Sequence, residues 1–156
     1  KDLLAALEKN RVTEGARIAK ALFEQLNAII KLCGQAEKLA ALQPDNIREK
    51  LNQQVAELLD AVPNLPEERL AQEAAVLMTK ADVREELDRL QAHIDAARAL
   101  MEEGGVIGRR LDFLCQEFNR EANTLCSKAT DVELSKIGLE LKAVIEQYRE
   151  QVQNIE

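Results

Sequence analysis

This 156-residue sequence predicts an all-α fold, an elongated bundle of long helices and helical hairpins with coiled-coil-like packing. Three observations lead there. Glycine and proline are sparse, at 6 and 3 residues, so the chain has few places to turn. Aromatic residues make up only 3% and Trp is absent, which disfavours a sheet built on aromatic pairs. Apolar residues recur every three or four positions over long stretches, leaving narrow stripes suited to helix-on-helix packing. A hydrophobic fraction of 46% excludes disorder, and no run of 18 apolar residues offers a membrane span.

The elements follow in order. Leu22, Leu26, Ile29 and Cys33 place a first helix over about Asp2 to Leu42. Gly15 and Gly34 weaken it by about 1 kcal/mol each. Pro44 and Asp45 are expected to stop it and open a second helix carrying Ile47, Leu51, Val55, Leu58 and Val62, so that residues 1–62 form a helical hairpin. Pro63-Asn64-Leu65-Pro66 is the sharpest break, with Asn64 as N-cap and Glu67 and Glu68 at the positive end of the next dipole. One long helix is then expected over 64–103, closed by Gly104 and Gly105 with the second glycine in a left-handed cap. Ile107, Leu111, Leu114, Phe118, Ala122 and Leu125 mark a fourth helix. Thr130-x-x-Glu133 reads as a capping box for a fifth, with Leu134, Ile137, Leu141, Val144, Tyr148, Val152 and Ile155 in register to the end.

The net charge of −7 argues against nucleic-acid binding by bulk charge. Residues 107–128 differ, with Arg109, Arg110, Arg120 and Lys128 against Asp112, Glu117 and Glu121. A polyanion would have to be met there, or by a part of the protein outside this chain. Cys33, Cys115 and Cys126 form no CxxC spacing and read as reduced, half-buried thiols. The chain opens on Lys1, already in helical pattern, which suggests a piece of a longer protein.

Two groups of residues could carry chemistry. Glu86 and His93, seven apart on one helix face with Arg89 and Leu90, could pair as carboxylate and imidazole, His93 acting as acid or base or sharing a cation with Glu86. The plainer reading is a solvated face, with Arg84–Asp88 and Glu85–Arg89 as i,i+4 pairs. Asp112, Gln116, Asn119 and Asn123 form a polar stripe on the fourth helix, where a merely solvated face would favour Lys and Glu over Asn. Arg110, Glu117 and Glu121 make a second line with Arg120 beside it, a set able to hold phosphate oxygens and a divalent metal. A buried polar network fixing helix register explains the same pattern. Ser127-Lys128 could contact phosphate or simply turn the chain. Phe113 and Phe118 are too few for a base-stacking platform, and there is no phosphate-binding glycine loop, zinc spacing or nucleophile elbow.

The stretch from Gly108 to Lys128, GRRLDFLCQEFNREANTLCSK, resembles the signature of the YicC/YloC family. Glu85 to His93 and Glu150 to Glu156 resemble it too, in matching order and spacing, as does Thr13-Glu14-Gly15. The resemblance implies the C-terminal half of a bacterial, cytoplasmic endoribonuclease nearly twice this length, which forms a homo-oligomer of hexamer size or larger and needs a divalent cation (Mg or Mn). RNA is then the implied partner, with neither DNA nor membrane. Among the matching residues, in a division of roles that the resemblance does not itself supply, His93, Glu86, Glu117 and Glu121 are taken as the catalytic candidates, and Glu86, Asp112, Glu117 and Glu121 as the metal candidates. Arg109, Arg110, Gln116, Asn119, Arg120, Asn123, Ser127 and Lys128 are the RNA-binding candidates. The alternative is a non-catalytic oligomerisation or scaffold module with the active site in another domain.

Overall fold

A computed structural model of the chain describes residues 2–61 and 66–155. Five helices follow one another: α1 (Asp2–Ala61), α2 (Glu67–Ala81), α3 (Arg84–Glu103), α4 (Gly108–Lys128) and α5 (Val132–Val152). Among the described residues there is no strand, and no helix is long and apolar enough to cross a membrane. The all-α expectation holds.

The core lies where α1, α3, α4 and α5 meet. The middle of α1 supplies Leu22, Leu26, Ile29, Cys33 and Ala36. Leu90, Ile94 and Ala97 of α3 face Leu111, Phe118 and Leu125 of α4, and α5 adds Leu134, Leu141, Ile145 and Tyr148. α1 packs on α5, α3 and α2, while α4 packs on both α3 and α5. Burying a leucine-sized side chain stabilises the fold by about 1.5–3 kcal/mol, so these stripes outweigh intrinsic helix propensity. Residues 6–17 of α1 are exposed throughout, and 44–57 are exposed or half-buried, so this helix projects beyond the core at both ends.

Four expectations are corrected, three about helix boundaries and one about cysteine burial. First, Pro44 does not end the first helix: α1 is continuous from Asp2 to Ala61, so residues 1–62 are not a hairpin. A proline inside a helix costs about 3 kcal/mol through its missing N–H and the clash of its ring one turn back. Here the adjoining turn is anchored from outside. Ala40 and Gln43 are buried, Gln43 Nε2 donates to Thr130 Oγ1 at 3.4 Å, and Pro44 and Ile47 face Met78 and Ala81 of α2. It is α2 that folds back on the second half of α1.

Second, the long helix expected over 64–103 is two helices. Asp82 turns extended (ψ 118°), and its Oδ1 accepts from the Arg84 backbone N–H at 3.0 Å and from Arg84 Nε at 2.9 Å. The carboxylate offers the chain a local turn in place of the helical ladder, and Val83 drops fully into the core. The Arg84 side chain therefore engages Asp82 instead of Asp88, whereas the Glu85–Arg89 pair forms as expected. Hydrogen bonds from Arg84 hold the Asp82 carboxyl down at about 2.

Third, α5 is capped by Asp131, whose Oδ1 accepts from Glu133 N–H at 2.9 Å. Thr130, the expected cap, is instead the acceptor for Gln43. Fourth, of the three cysteines, all free, Cys33 and Cys115 are fully buried and only Cys126 is half-buried. Burial pushes the Cys33 and Cys115 thiols up to about 12. The Pro63–Pro66 break with its Asn64 cap falls largely on residues 62–65, outside the described residues. The glycine pair behaves as expected: Gly104 and Gly105 have φ of 70° and 77° and carry the chain from α3 into α4.

Candidate active site on the α3–α4 seam

The short glycine connection makes α3 and α4 an antiparallel pair, so the start of α3 meets the end of α4. Positions 86, 89 and 93 share one face of α3, and 117, 121 and 128 share one face of α4. Side chains meet across this seam in order. At one end Lys128 Nζ donates to Glu86 Oε1 at 2.8 Å and to the Asp82 carbonyl at 3.1 Å. Next, an Arg89 guanidinium nitrogen lies 3.6 Å from Glu121 Oε1, while the other holds Glu85. Then His93, Glu117 and Glu121 converge, with one ligand atom from each within 4.8 Å of the others.

This trio has the chemistry of a cation site: one imidazole nitrogen and two carboxylate oxygens. Glu121 is only 3% exposed, yet among the described residues its one ion pair is the long one to Arg89. Glu117 is met by Arg120 at 3.9 Å, from a guanidinium that is mostly in solvent. Two carboxylates held this close with such loose pairing repel each other, and a cation between them would relieve that. The imidazole is held from behind. Its ring meets Phe118 edge-on, with centroids 6.2 Å apart and an 85° interplanar angle, and Phe118 meets Tyr148 in the same way. Tyr148 O–H donates to Met101 Sδ at 3.4 Å, and burial pushes its phenol above the usual range. Such edge-to-face contacts fix ring orientation as well as adding area.

The other sequence-predicted residues are spread along the same two helices. Glu86 stands outside the trio with Lys128 as its partner, and its buried Oε2 has no hydrogen bond among the described residues. Asp112 is also outside it, accepting from Gln116 Nε2 at 3.1 Å and from Arg149 Nε of α5 at 3.5 Å. Gln116 and Asn123 are exposed and Asn119 is half-exposed, so the polar stripe lies at the surface and not in a buried network. Arg110 pairs with Glu103 at 3.1 Å. Arg109 is exposed, with no ion-pair partner among the described residues. The Ser127 hydroxyl donates to the Thr124 carbonyl at 2.8 Å.

Two residues gain importance that sequence spacing alone did not give them. Arg89 reaches both Glu85 on its own helix and Glu121 on the next. Tyr148 buttresses the site from α5. The i,i+4 spacing showed the first contact; nothing local could show the second or the third.

The family described as "Endoribonuclease YicC-like, C-terminal" matches residues 36–156, a range that contains the whole seam. The chain belongs to the YicC-like family. It is 37% identical over 155 residues to the "Probable endoribonuclease YicC" of Clostridioides difficile (strain 630), a match covering 99% of this chain and 53% of that protein. It is equally similar, with the same coverage, to the protein of that name from Haemophilus influenzae (strain ATCC 51907 / DSM 11121 / KW20 / Rd). The chain thus spans about half the length of these YicC relatives.

Proposed function

We propose that this chain is the catalytic half of an endoribonuclease, with His93, Glu117 and Glu121 as its centre. The observation that carries the reading is their convergence from two helices at a point where a buried carboxylate is paired, among the described residues, only by a guanidinium 3.6 Å away. The names of the YicC relatives supply the reaction class.

The donor set fits a divalent cation such as Mg²⁺ or Mn²⁺, held by His93, Glu117 and Glu121. When bound, such an ion neutralises phosphate charge and makes water or a 2′-hydroxyl more acidic. The chain's own groups do the rest. Arg89 offsets the Glu121 charge while the carboxylate is buried. Phe118 and Tyr148 keep the imidazole from rotating, so that its nitrogen stays aimed at the carboxylates. Where His93 is free of the ion, it is the group placed to take or give a proton. Glu86 holds Lys128 at the seam's end, and Arg109 and Arg120 stand free enough to meet backbone phosphates, with Gln116, Asn119 and Asn123 offering amides. Arg110 and Ser127 are already engaged within the fold, and Asp112 serves α4–α5 register more than metal. That last contact is what favours the scaffold alternative for one edge of the polar stripe. A cytoplasmic homo-oligomer, of hexamer size or larger, belongs to the same proposal.

Cleavage of single-stranded RNA by the intact protein tests this, wild type beside His93→Ala and Glu121→Gln, with EDTA or with added Mn²⁺ or Mg²⁺. Each folded variant is expected to lose about 10²–10⁴-fold in rate, and EDTA to stop the wild type. Undiminished cleavage by both variants would move the active site out of this chain. Loss in EDTA with His93→Ala still active would leave the carboxylates as the essential groups. Under the scaffold alternative, Asn119→Ala and Arg120→Ala lower the melting temperature or change the assembly size; here they spare both and weaken RNA binding.

A further inference from the structure

Beyond the trio, the α3–α4 seam opens into a groove of roughly 540 Å³. Ala96, Ala99 and Leu100 of α3 line one side, and Phe113 and Leu114 of α4 the other. The small alanines leave room beside the Phe113 ring, which is 59% exposed. The bundle takes Phe118 and Tyr148 entirely into its core and leaves this ring in solvent. Arg109 and Arg110 border the same groove. Arg110 is occupied by Glu103, but Arg109 has no carboxylate partner among the described residues, in a chain with 28 acidic side chains against 21 basic. An exposed flat ring in an apolar groove, rimmed by an unpaired guanidinium, complements a ligand with a π-face and an adjacent anion.

The register ties this groove to the candidate active site. Arg109, Phe113 and Glu117 lie four residues apart on α4, one above another, at a rise of about 6 Å per step. On α3, Ala96 and Leu100 follow His93 by one and two turns. A strand with its phosphate at the trio and lying along the seam would pass Phe113 and then Arg109. The first turn of α4 adds to this: it holds no acidic residue and its N-cap, Ile107, offers no side-chain hydrogen bond.

We propose that the groove is a nucleotide subsite, in which one unpaired RNA base stacks on Phe113 and the neighbouring phosphate is held by Arg109. This rests on the RNA-cleaving reading above and deepens it by naming the substrate class: RNA that is single-stranded at the nucleotide beside the cleaved bond. Within a duplex both faces of a base are already stacked and out of reach of an exposed side chain. One ring binds one base. That is why Phe113 suffices here without a platform, although Phe118 on the same helix is buried.

The test is fluorescence anisotropy of the intact protein with a short labelled single-stranded oligoribonucleotide, in EDTA and at fixed low salt, alongside copies with one abasic position moved along the strand. Phe113→Ala is expected to weaken binding between about 5- and 150-fold. Phe113→Trp restores it and Phe113→Leu does not, since stacking and not apolar area is the contact. One abasic position weakens the wild type by a similar factor and costs Phe113→Ala nothing further. A Phe113→Ala variant that binds as tightly as wild type overturns the subsite, as does Phe113→Leu matching Phe113→Trp. If RNA affinity holds while the assembly mass changes, the groove is a protein interface and the proposal fails. A wild type that binds no RNA defeats the underlying reading as well. Retained RNA cleavage that His93→Ala abolishes, with affinity indifferent to Phe113, defeats the subsite alone.

Discussion

Glu121→Gln is expected to make this helical chain more stable while destroying its function. Glu121 is 3% exposed, and the nearest Glu117 oxygen lies within 4.8 Å. At an effective dielectric of about 20, that repulsion comes to about 3.5 kcal/mol. Removing the charge also loses the attraction of Arg89 at 3.6 Å. That guanidinium is half exposed and already shared with Glu85, so its contribution is closer to 1 kcal/mol. A buried amide lacking a full set of hydrogen-bond partners costs about another 1 kcal/mol. The net is a gain of about 1–2 kcal/mol, a rise in melting temperature of about 2–8 °C for a chain of this size. Thermal unfolding followed by circular dichroism in EDTA at neutral pH and low salt measures it, and the gain should shrink as salt is added. Saturating Mn²⁺ should reverse the order. Cation at about a hundred times its dissociation constant stabilises the wild type by about 2.7 kcal/mol and a variant lacking the ligand much less. A Glu121→Gln chain that melts below the wild type in EDTA would refute the argument from like charges. A wild type indifferent to Mn²⁺ would refute the cation.

Three further outcomes follow from the packing. Lys128→Met should cost about 2 kcal/mol in urea unfolding, because Glu86, with one oxygen already unpartnered, loses its remaining partner; adding Glu86→Leu should recover most of it, and no recovery would count against the pair. Gly138→Ala sets a Cβ 2.6 Å from Cys126 Sγ, so about 1–3 kcal/mol of overpacking competes with about 1 kcal/mol of helix propensity. The variant should lower the urea midpoint alone and stop doing so in a Cys126→Ala background; a raised midpoint on its own would contradict the contact. The Asp82 carboxyl is held at about 2, below its ordinary value, so its contribution is present above about pH 4 and lost as pH falls towards 2. The stability gap between wild type and Asp82→Asn should therefore be flat above pH 5 and close in acid, whereas a gap independent of pH would show that Asp82 acts only through its shape.

Much of this protein is legible in its sequence because helix patterns are local. The apolar stripes of α4 and α5, the turn at Gly104-Gly105 and the all-α class depend on residues within a few positions of one another, and the structure bears them out. The helix-breaking residues depart from local expectation for the opposite reason. Pro44 stays inside α1 because α2 and Thr130 in the α4–α5 connection anchor its neighbouring turn, whereas Asp82, an unremarkable residue by propensity, breaks a helix once Arg84 closes on its carboxylate. Spacing placed Glu117 and Glu121 on one face and His93 on another helix. Only the antiparallel pairing of α3 with α4 brought the three together and left Glu86 to Lys128, and only the packing of α5 on α4 gave Asp112 to Arg149. Which side chains share a helix face is set by 3.6-residue periodicity, while which faces meet depends on contacts dozens of residues apart, and those exist only after the chain has packed.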